Sequence, residues 1–254
     1  MPRRAAALII GNELLSGKVS DANLPVLART LFELGIRLER AVMCRDEEVA
    51  IASELRLLCD RYDLVFTSGG IGPTHDDRTI QGVARAFGVA LRRDPGLEAR
   101  ILAHYGPRTT EGHLRMAEIP EGSRLIESEE LAWPVLQVGN VYVLPGVPEF
   151  FARKLKAIRH LIGMERPYLS AAVETRCDEG EIAALLERIE REHGVEVGSY
   201  PRFVDGKMQL RLTLDSQDPE QVEKALEALL RGLNPAMVLG VERPKALDQK
   251  KAKT

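Results

Sequence analysis

The chain has 254 residues and a nearly balanced charge, with 35 Lys and Arg against 38 Asp and Glu. Without a strong positive field, neither nucleic acid nor an anionic membrane is an expected partner. An apolar share of 44% suits a globular protein with a core, and three scattered cysteines are too few for a disulfide framework, so we expect reduced thiols and a cytoplasmic location.

Short apolar runs alternate with helical patterns through the first two-thirds of the chain. The run at 6–10 is too short for a membrane span or a signal-peptide core and predicts a buried strand, which is followed by a helix with an apolar face. Further strands are predicted at 36–43 and 63–67, followed by helices that begin at Asp46 and Thr79. This alternation indicates a mostly parallel sheet with helices on both faces, in which ligands bind beyond the carboxyl ends of the strands.

A less regular stretch at 88–128 precedes a predicted hairpin at 135–144, turned by Gly139 and Asn140. A basic amphipathic helix is predicted at 150–162, and we interpret its cations, Lys154 among them, as a solvated face. The chain therefore predicts an α/β domain at its start.

The order of elements changes after a predicted domain boundary at 163–167. Strand, helix, strand, strand, helix and strand follow in that order, which is typical of a ferredoxin-like α+β domain. We therefore predict an α/β domain at 1–165, a small α+β domain at 166–242 and a flexible basic tail at 243–254.

The strongest chemical signal is the segment 67–77, Thr-Ser-Gly-Gly-Ile-Gly-Pro-Thr-His-Asp-Asp, between a predicted strand and a predicted helix. Its glycines allow a sharp turn and close approach of a ligand, and free N–H groups at a helix start bind anions. The alternative is a tight turn in which Asp76 or Asp77 caps the helix. Three glycines and two carboxylates in one turn favour a phosphate-binding loop.

Carboxylates beside a phosphate repel it unless a divalent cation bridges them or one of them handles a proton. Glu13 and Asp46 follow the first two predicted strands, so with Asp77 three acids are expected to converge at one edge of the sheet. Taken singly, Asp46 could cap a helix and Glu13 could be a solvated loop residue.

Other loops carry weaker signals. The segment 11–18 is not a Walker loop, because its glycines lie one residue too far apart and Val19 replaces the Ser or Thr. The segment 144–148, Leu-Pro-Gly-Val-Pro, could add backbone donors to the same site or simply end a strand.

Together, the segments 11–17, 21–23 and 68–77, with Asp46 and 144–148, resemble the molybdopterin-binding (molybdenum-cofactor biosynthesis) domain family, closest to its CinA-like (competence/damage-inducible) branch. The segment 198–201 is similar to that branch's second small domain. The resemblance implies a three-layer α/β/α fold and a nucleotide-like or pterin-like small-molecule partner. It leaves no room for the amidase domain of longer relatives, so amidohydrolase activity is not expected.

The resemblance also implies roles for individual residues. Asp46 and Asp77 would hold a divalent cation (Mg²⁺, Mn²⁺ or Co²⁺), with Glu13 as a third catalytic acid. Asp76 is a further candidate acid because it lies in the same turn as Asp77 and could orient water. The residues implied to bind phosphate or nucleotide are Asn23, Ser68, Gly69, Gly70, Gly72, Thr74, Pro145 and Gly146.

The resulting hypothesis is a metal-dependent nucleotide pyrophosphatase, a hydrolase acting on ADP-ribose or FAD. The alternatives are a protein that binds or adenylylates molybdopterin, and a non-catalytic scaffold of the family. Two departures bear on the choice: Ala22 replaces the family's Thr, and 131–134, Leu-Ala-Trp-Pro, replaces its Gly-Thr-Ala-Pro. A homo-oligomer, dimer or trimer, is expected from the relatives.

Overall fold

The computed structural model describes residues 3–163 and 166–244. The chain divides into two compact units, one covering 1–165 and one beginning at 166. The predicted tail falls almost wholly outside the described residues. No helix in the described ranges combines the length and apolar character needed to cross a bilayer.

The first unit is built on a six-stranded sheet and a separate pair of short strands. The strands are β1 (Arg4–Ile10), β2 (Arg37–Cys44), β3 (Leu64–Ser68), β4 (Leu91–Arg93), β5 (Glu118–Pro120), β6 (Arg124–Ile126), β7 (Val135–Val138) and β8 (Val141–Leu144). The sheet has the order β2-β1-β3-β8-β7-β6, and β4 and β5 form the separate antiparallel pair. Neighbours among β2, β1, β3 and β8 are parallel, and β7 runs antiparallel to β8 and β6.

Helices cover both faces of this sheet, as the alternating pattern predicts. They are α1 (Asn12–Leu15), α2 (Asn23–Glu33), α3 (Glu48–Cys59), α4 (Thr79–Phe87), α5 (Pro95–Tyr105), α6 (Glu111–Arg115) and α7 (Pro148–Ile162). Odd-numbered residues of β1 pack in one core cluster with α2 and α7, and even-numbered residues pack in the other with α3, α4 and α5. Burial of both faces explains why β1 is a continuous apolar run.

The structure corrects two predictions in this unit. The helix expected from Asp46 begins at Glu48, and on it Val49 is exposed while Ile51 and Leu58 are buried. The loop before α3 is therefore longer than predicted, which leaves Asp46 free for another contact. The stretch interpreted as irregular contains β4, β5 and β6, whose three residues each are too few to show a period.

The second unit is an antiparallel sheet in the order β10-β11-β9-β12 with two helices. Its elements are β9 (Leu169–Thr175), α8 (Glu179–His193), β10 (Glu196–Val204), β11 (Lys207–Ser216), α9 (Pro219–Gly232) and β12 (Val238–Glu242). Leu210, Leu212 and Leu214 alternate along β11 and are fully buried in a core cluster with residues of α8 and α9. The predicted β-α-β-β-α-β order is present.

Candidate functional site

The loops after β1, β2, β3 and β8 lie at the same edge of the sheet, because these four strands are parallel neighbours. A cavity of about 950 Å³ opens there, and every residue that lines it lies between 10 and 154. Its lining includes Glu13, Asp46, residues 69–78 and residues 145–147. The fold therefore brings the predicted loops to one place, where ligands bind in such sheets.

The glycine turn after β3 is tightly fixed. Gly69 has φ 107° and Gly70 has φ 63°, and a Cβ on Gly69 would lie 2.2 Å from the carbonyl oxygen of Ile10. The Gly69 N–H donates to the Leu144 carbonyl (3.2 Å), while the Thr79 hydroxyl donates to the Gly69 carbonyl (2.8 Å). Only glycine fits here, so β1, β8 and α4 together define the turn.

Three consecutive N–H groups in this turn are available to a ligand. Within the part of the chain that the structure describes, those of Gly70, Ile71 and Gly72 have no acceptor in the backbone or side chains. Gly70 and Ile71 are half-buried and Gly72 is exposed, and all three line the cavity. Successive unpaired N–H groups form a favourable site for an anion.

Asp46 lies against the same turn. Its Oδ2 accepts a hydrogen bond from the Asn12 N–H at 2.7 Å, and its Oδ1 lies 3.2 Å from the position that a Cβ on Gly70 would take. Asp46 is not the cap of α3, because Glu47 occupies the N-cap position and makes no side-chain cap bond. The capping alternative for Asp46 is therefore wrong, and its carboxylate faces the glycine turn.

Three other acids of the cavity affect the pKa of Asp46. Burial raises the pKa of Asp46, the negative charges of Glu13, Asp76 and Asp77 raise it further, and the hydrogen bond from the Asn12 N–H opposes them. Glu13, Asp76 and Asp77 therefore act on Asp46, and all four acids line the same cavity.

Asp77 stabilises the end of the glycine-rich loop. Its Oδ2 accepts from the Thr74 N–H at 2.9 Å and from the Thr74 hydroxyl, and lies 2.8 Å from the position of a Cβ on Gly72. The N-cap position of α4 belongs to Arg78, without a side-chain cap bond. The helix-capping alternative for Asp76 and Asp77 is therefore also wrong.

The acids do not form a complete cation cage by themselves. Among the described residues, no group of three His, Cys, Asp or Glu side chains is arranged to hold one metal ion. Glu13 lies in the short helix α1, with Oε1 2.6 Å from the position of a Cβ on Gly11. The protein thus gathers the acids in one cavity, and any cation there needs additional oxygen ligands from water or a substrate.

Two of the implied phosphate-binding residues lie behind the cavity lining. Asn23, 4% exposed, donates to the Ser68 hydroxyl and to the Gly146 carbonyl, both at 2.8 Å. Thr74, Pro145 and Gly146 line the cavity, whereas Asn23 and Ser68 are not among the described residues that do. Asn23 therefore connects α2 to the end of β3 and to the loop after β8.

The structure also brings in residues that the sequence reasoning missed. Lys154, interpreted above as solvated, is partly buried and lines the cavity, and its Nζ donates to the Pro134 carbonyl. Burial lowers the pKa of Lys154 to about 8. The available signal was its spacing, three residues after buried Phe151 and four before buried Ile158, which places it on the buried face of α7.

Aromatic side chains from separate parts of the first unit also line the cavity. His104 and Tyr105 at the end of α5, and Trp133 in the segment before β7, line it together with apolar residues. The departure at 131–134 marked Trp133 as unusual, but nothing in the local pattern placed it opposite α5.

Comparison with known proteins follows this division into two units. Residues 6–163 match the family described as "Probable molybdopterin binding domain", and residues 167–242 match "FAD synthase, middle domain".

Individual relatives agree with these matches. A CinA-like protein of Syntrophus aciditrophicus is 34% identical over 94% of this chain and 59% of its own length. A probable FAD synthase of Caenorhabditis briggsae is 29% identical over 91% of this chain and 50% of its own. The chain thus spans about half to three-fifths of these curated relatives. A crystal structure of CinA from Thermoplasma acidophilum, described as having unknown function, covers 63% of this chain and 98% of its own with 35% identity and a TM-score of 0.59.

Proposed function

Since the chain belongs to the molybdopterin-binding domain family, in its CinA-like branch, we propose that it is a metal-dependent nucleotide pyrophosphatase acting on substrates of the ADP-ribose or FAD type. The observation that carries the proposal is the set of three free N–H groups at 70–72 beside the carboxylates of Asp46 and Asp77. The N–H groups attract an anionic ligand, whereas the carboxylates repel it. A divalent cation that binds together with the ligand removes this conflict.

The acids fit a divalent cation in their chemistry. Oxygen ligands suit Mg²⁺ and Mn²⁺, which commonly bind through one or two carboxylates, water and substrate phosphate. Asp46 and Asp77 would hold it, and a bound cation would oppose the burial and the neighbouring negative charges that raise the pKa of Asp46. When bound, the cation would neutralise charge on the diphosphate oxygens.

The chain's own groups have separate tasks in the hydrolysis. The N–H groups at 70–72 bind a diphosphate oxygen and stabilise the charge that develops on it. Glu13 or Asp76 orients a water molecule and accepts its proton. The water oxygen bonds to phosphorus, and the bond from that phosphorus to the bridging oxygen breaks, with its electron pair leaving on the second phosphate. ADP-ribose would give AMP and ribose 5-phosphate.

The test is incubation of the protein with ADP-ribose or FAD and Mg²⁺, Mn²⁺ or Co²⁺, with AMP measured by chromatography. We expect metal-dependent AMP release that falls at least a hundredfold in Asp77→Ala, on the order of the loss from removing one catalytic group. Asp60→Asn, an exposed carboxylate outside the cavity lining, is the matched control. Absence of AMP with every metal, from folded protein, would refute the proposal.

The family match favours a second candidate, binding or adenylylation of a pterin such as molybdopterin. Calorimetry with molybdopterin, with and without ATP and Mg²⁺, separates it from the first. Heat of binding together with an ATP-dependent product, in the absence of AMP release from ADP-ribose, would favour this second function. If Asp77→Ala changes neither activity nor affinity for any of these ligands, the non-catalytic scaffold is correct.

A further inference from the structure

Four aromatic rings form a continuous set of contacts at the cavity, which we call the aromatic wall: His104, Tyr105, His113 and Trp133. The rings of His104 and Trp133 meet edge to face, with centroids 5.8 Å apart. His104 also meets Tyr105 edge to face at 4.7 Å, and Tyr105 stacks on His113 at 3.9 Å. His104, Tyr105 and Trp133 line the cavity that holds the acids.

The segment that carries Trp133 is held on both sides. Arg100 on α5 donates to the Ala132 carbonyl at 3.4 Å, and Lys154 on α7 donates to the Pro134 carbonyl. These two carbonyls flank Trp133 in the chain. The indole itself is partly buried and packs against the core cluster under the sheet. The backbone on both sides of Trp133 is therefore anchored, which limits the conformational freedom that the indole would lose on binding a ligand.

The cavity is larger than a diphosphate needs. Its 950 Å³ lies near the upper end of small-molecule sites, which span roughly 300–1,000 Å³. His104, Tyr105 and Trp133 of the aromatic wall line the same cavity as the glycine turn at 69–72. A ligand that binds the glycine turn through phosphate can thus extend to the wall.

We propose that Trp133, with His104 and Tyr105 beside it, is the stacking subsite for the planar nitrogen heterocycle of the nucleotide whose phosphates bind the glycine turn. This inference rests on the proposed function and adds the residues that recognise the flat ring, adenine or isoalloxazine, of the ligand. Base stacking on an aromatic side chain contributes about 1–3 kcal/mol. Its loss corresponds to a roughly five- to 150-fold weaker affinity.

Trp133 is the single tryptophan of the chain, so its fluorescence reports on the subsite directly. The full-length protein is titrated with AMP, which carries ring and phosphate, and with ribose 5-phosphate, which lacks the ring; neither contains a diphosphate to hydrolyse. We expect AMP to change the emission and ribose 5-phosphate to leave it unchanged.

Calorimetry measures affinity for AMP and FMN in the variants. Trp133→Ala should weaken binding of the preferred ring five- to 150-fold and leave inorganic pyrophosphate affinity unchanged. Trp133→Phe should keep most of the affinity. Trp133→Leu, which fills part of the space without a flat ring, should lose affinity as Trp133→Ala does, and it preserves the test if Trp133→Ala does not fold. Phe203→Ala, an exposed ring of the second unit, is the control that should change nothing. If Trp133→Ala loses affinity for AMP alone, the ring bound at the subsite is adenine. If it loses affinity for FMN alone, the ring is isoalloxazine.

The inference is overturned if AMP and FMN do not bind, if AMP and ribose 5-phosphate change the emission equally, or if both rings bind Trp133→Ala within twofold of the unmodified protein. Any of these results, combined with AMP release that depends on Asp77, leaves the proposed hydrolysis standing without the subsite. Ring binding that depends on Trp133, without hydrolysis under any metal, leaves the subsite standing and rejects the enzyme.

Discussion

At the scale of single residues, the cavity gathers four carboxylates, and in the described part of the chain none of them forms an ion pair with Lys or Arg. Asp46 is the clearest case, because burial and three neighbouring acids raise its pKa. Active sites commonly carry such unfavourable electrostatics, since groups arranged for a ligand are strained without it. A strained carboxylate has a measurable consequence for folding.

We predict that Asp46→Asn stabilises the ligand-free protein at neutral pH. The folded-state pKa of Asp46 lies above its ordinary value, so the folded state binds the carboxyl proton more tightly than the unfolded state does. The free energy of unfolding therefore falls as the pH rises from the ordinary pKa through the raised one. Asparagine keeps an oxygen for the Asn12 N–H and carries no charge.

Thermal melts without divalent ions should therefore show a higher Tm for Asp46→Asn at pH 7, with the difference disappearing at acid pH, where wild-type Asp46 is protonated. Asp60→Asn serves as the control and should show no such pH-dependent gain. A Tm below wild type at pH 7 would mean that the carboxylate is stabilised in the fold.

Lys154 makes the stability of the fold depend on pH in the opposite direction, and it does so at alkaline pH. Its folded-state pKa is about 8 against an ordinary 10.5, so the unfolded state binds the proton more tightly and stability rises between these values. A shift of this size corresponds to a gain of about 3 kcal/mol at most. Lys154→Met removes the titrating group.

Urea unfolding of the two proteins from pH 7 to 11 should show the free energy of unfolding of wild type rising relative to Lys154→Met. Lys156→Met, an exposed cation on the same helix, is the control. Parallel pH curves for wild type and Lys154→Met would show that Lys154 has no depressed pKa.

At the scale of elements, the sequence predicted the helix and the hairpin named below, but not the strands of three residues. The helix at 79–87 and the hairpin at 135–144 have the predicted ends, since their apolar periods and turn glycine are visible in the chain. The three-residue strands β4, β5 and β6 carry no period, and their position depends on tertiary pairing.

The same distinction applies to the site. The glycine turn was predictable because a sharp turn after a strand requires glycine at Gly69 and Gly70, and the acids because they follow parallel strands. The aromatic wall was not, since His104 and Trp133 lie far apart in sequence and meet only when α5 packs beside the segment before β7.

Asn23 makes the arrangement of three elements depend on one side chain. It lies at the start of α2 and donates to Ser68 at the end of β3 and to Gly146 before α7. We predict that Asn23→Ala lowers the free energy of unfolding by about 1–3 kcal/mol, because the Gly146 carbonyl loses a partner and a buried space is left.

Urea unfolding measures the effect, and Thr30→Ala on the same helix is the control. The Thr30 hydroxyl bonds only within α2, to Val26, at an exposed position, so we expect a change under about 0.5 kcal/mol. An equal loss in both variants would assign the effect to α2 itself rather than to the contacts of Asn23.

At the scale of the whole molecule, each unit has its own core. The two clusters of the first unit draw on residues 5–162, and the cluster of the second on residues 169–238. The cavity belongs entirely to the first unit, since its lining ends at Lys154. We therefore expect the first unit to fold and to bind a ligand without the second.

We predict that a chain ending at residue 165 folds on its own and keeps the site. All the contacts described for the glycine turn, the four acids and Trp133 lie within it, so its AMP release per molecule should remain within about threefold of the full chain, a difference of under 1 kcal/mol in the barrier.

Circular dichroism and a cooperative melt test folding, and the Trp133 emission shift with AMP tests the cavity. The same truncation carrying Asp77→Ala is the matched control and should be inactive. A folded truncation that binds AMP but releases none from ADP-ribose, where the full chain does, would assign the second unit a direct part in the reaction.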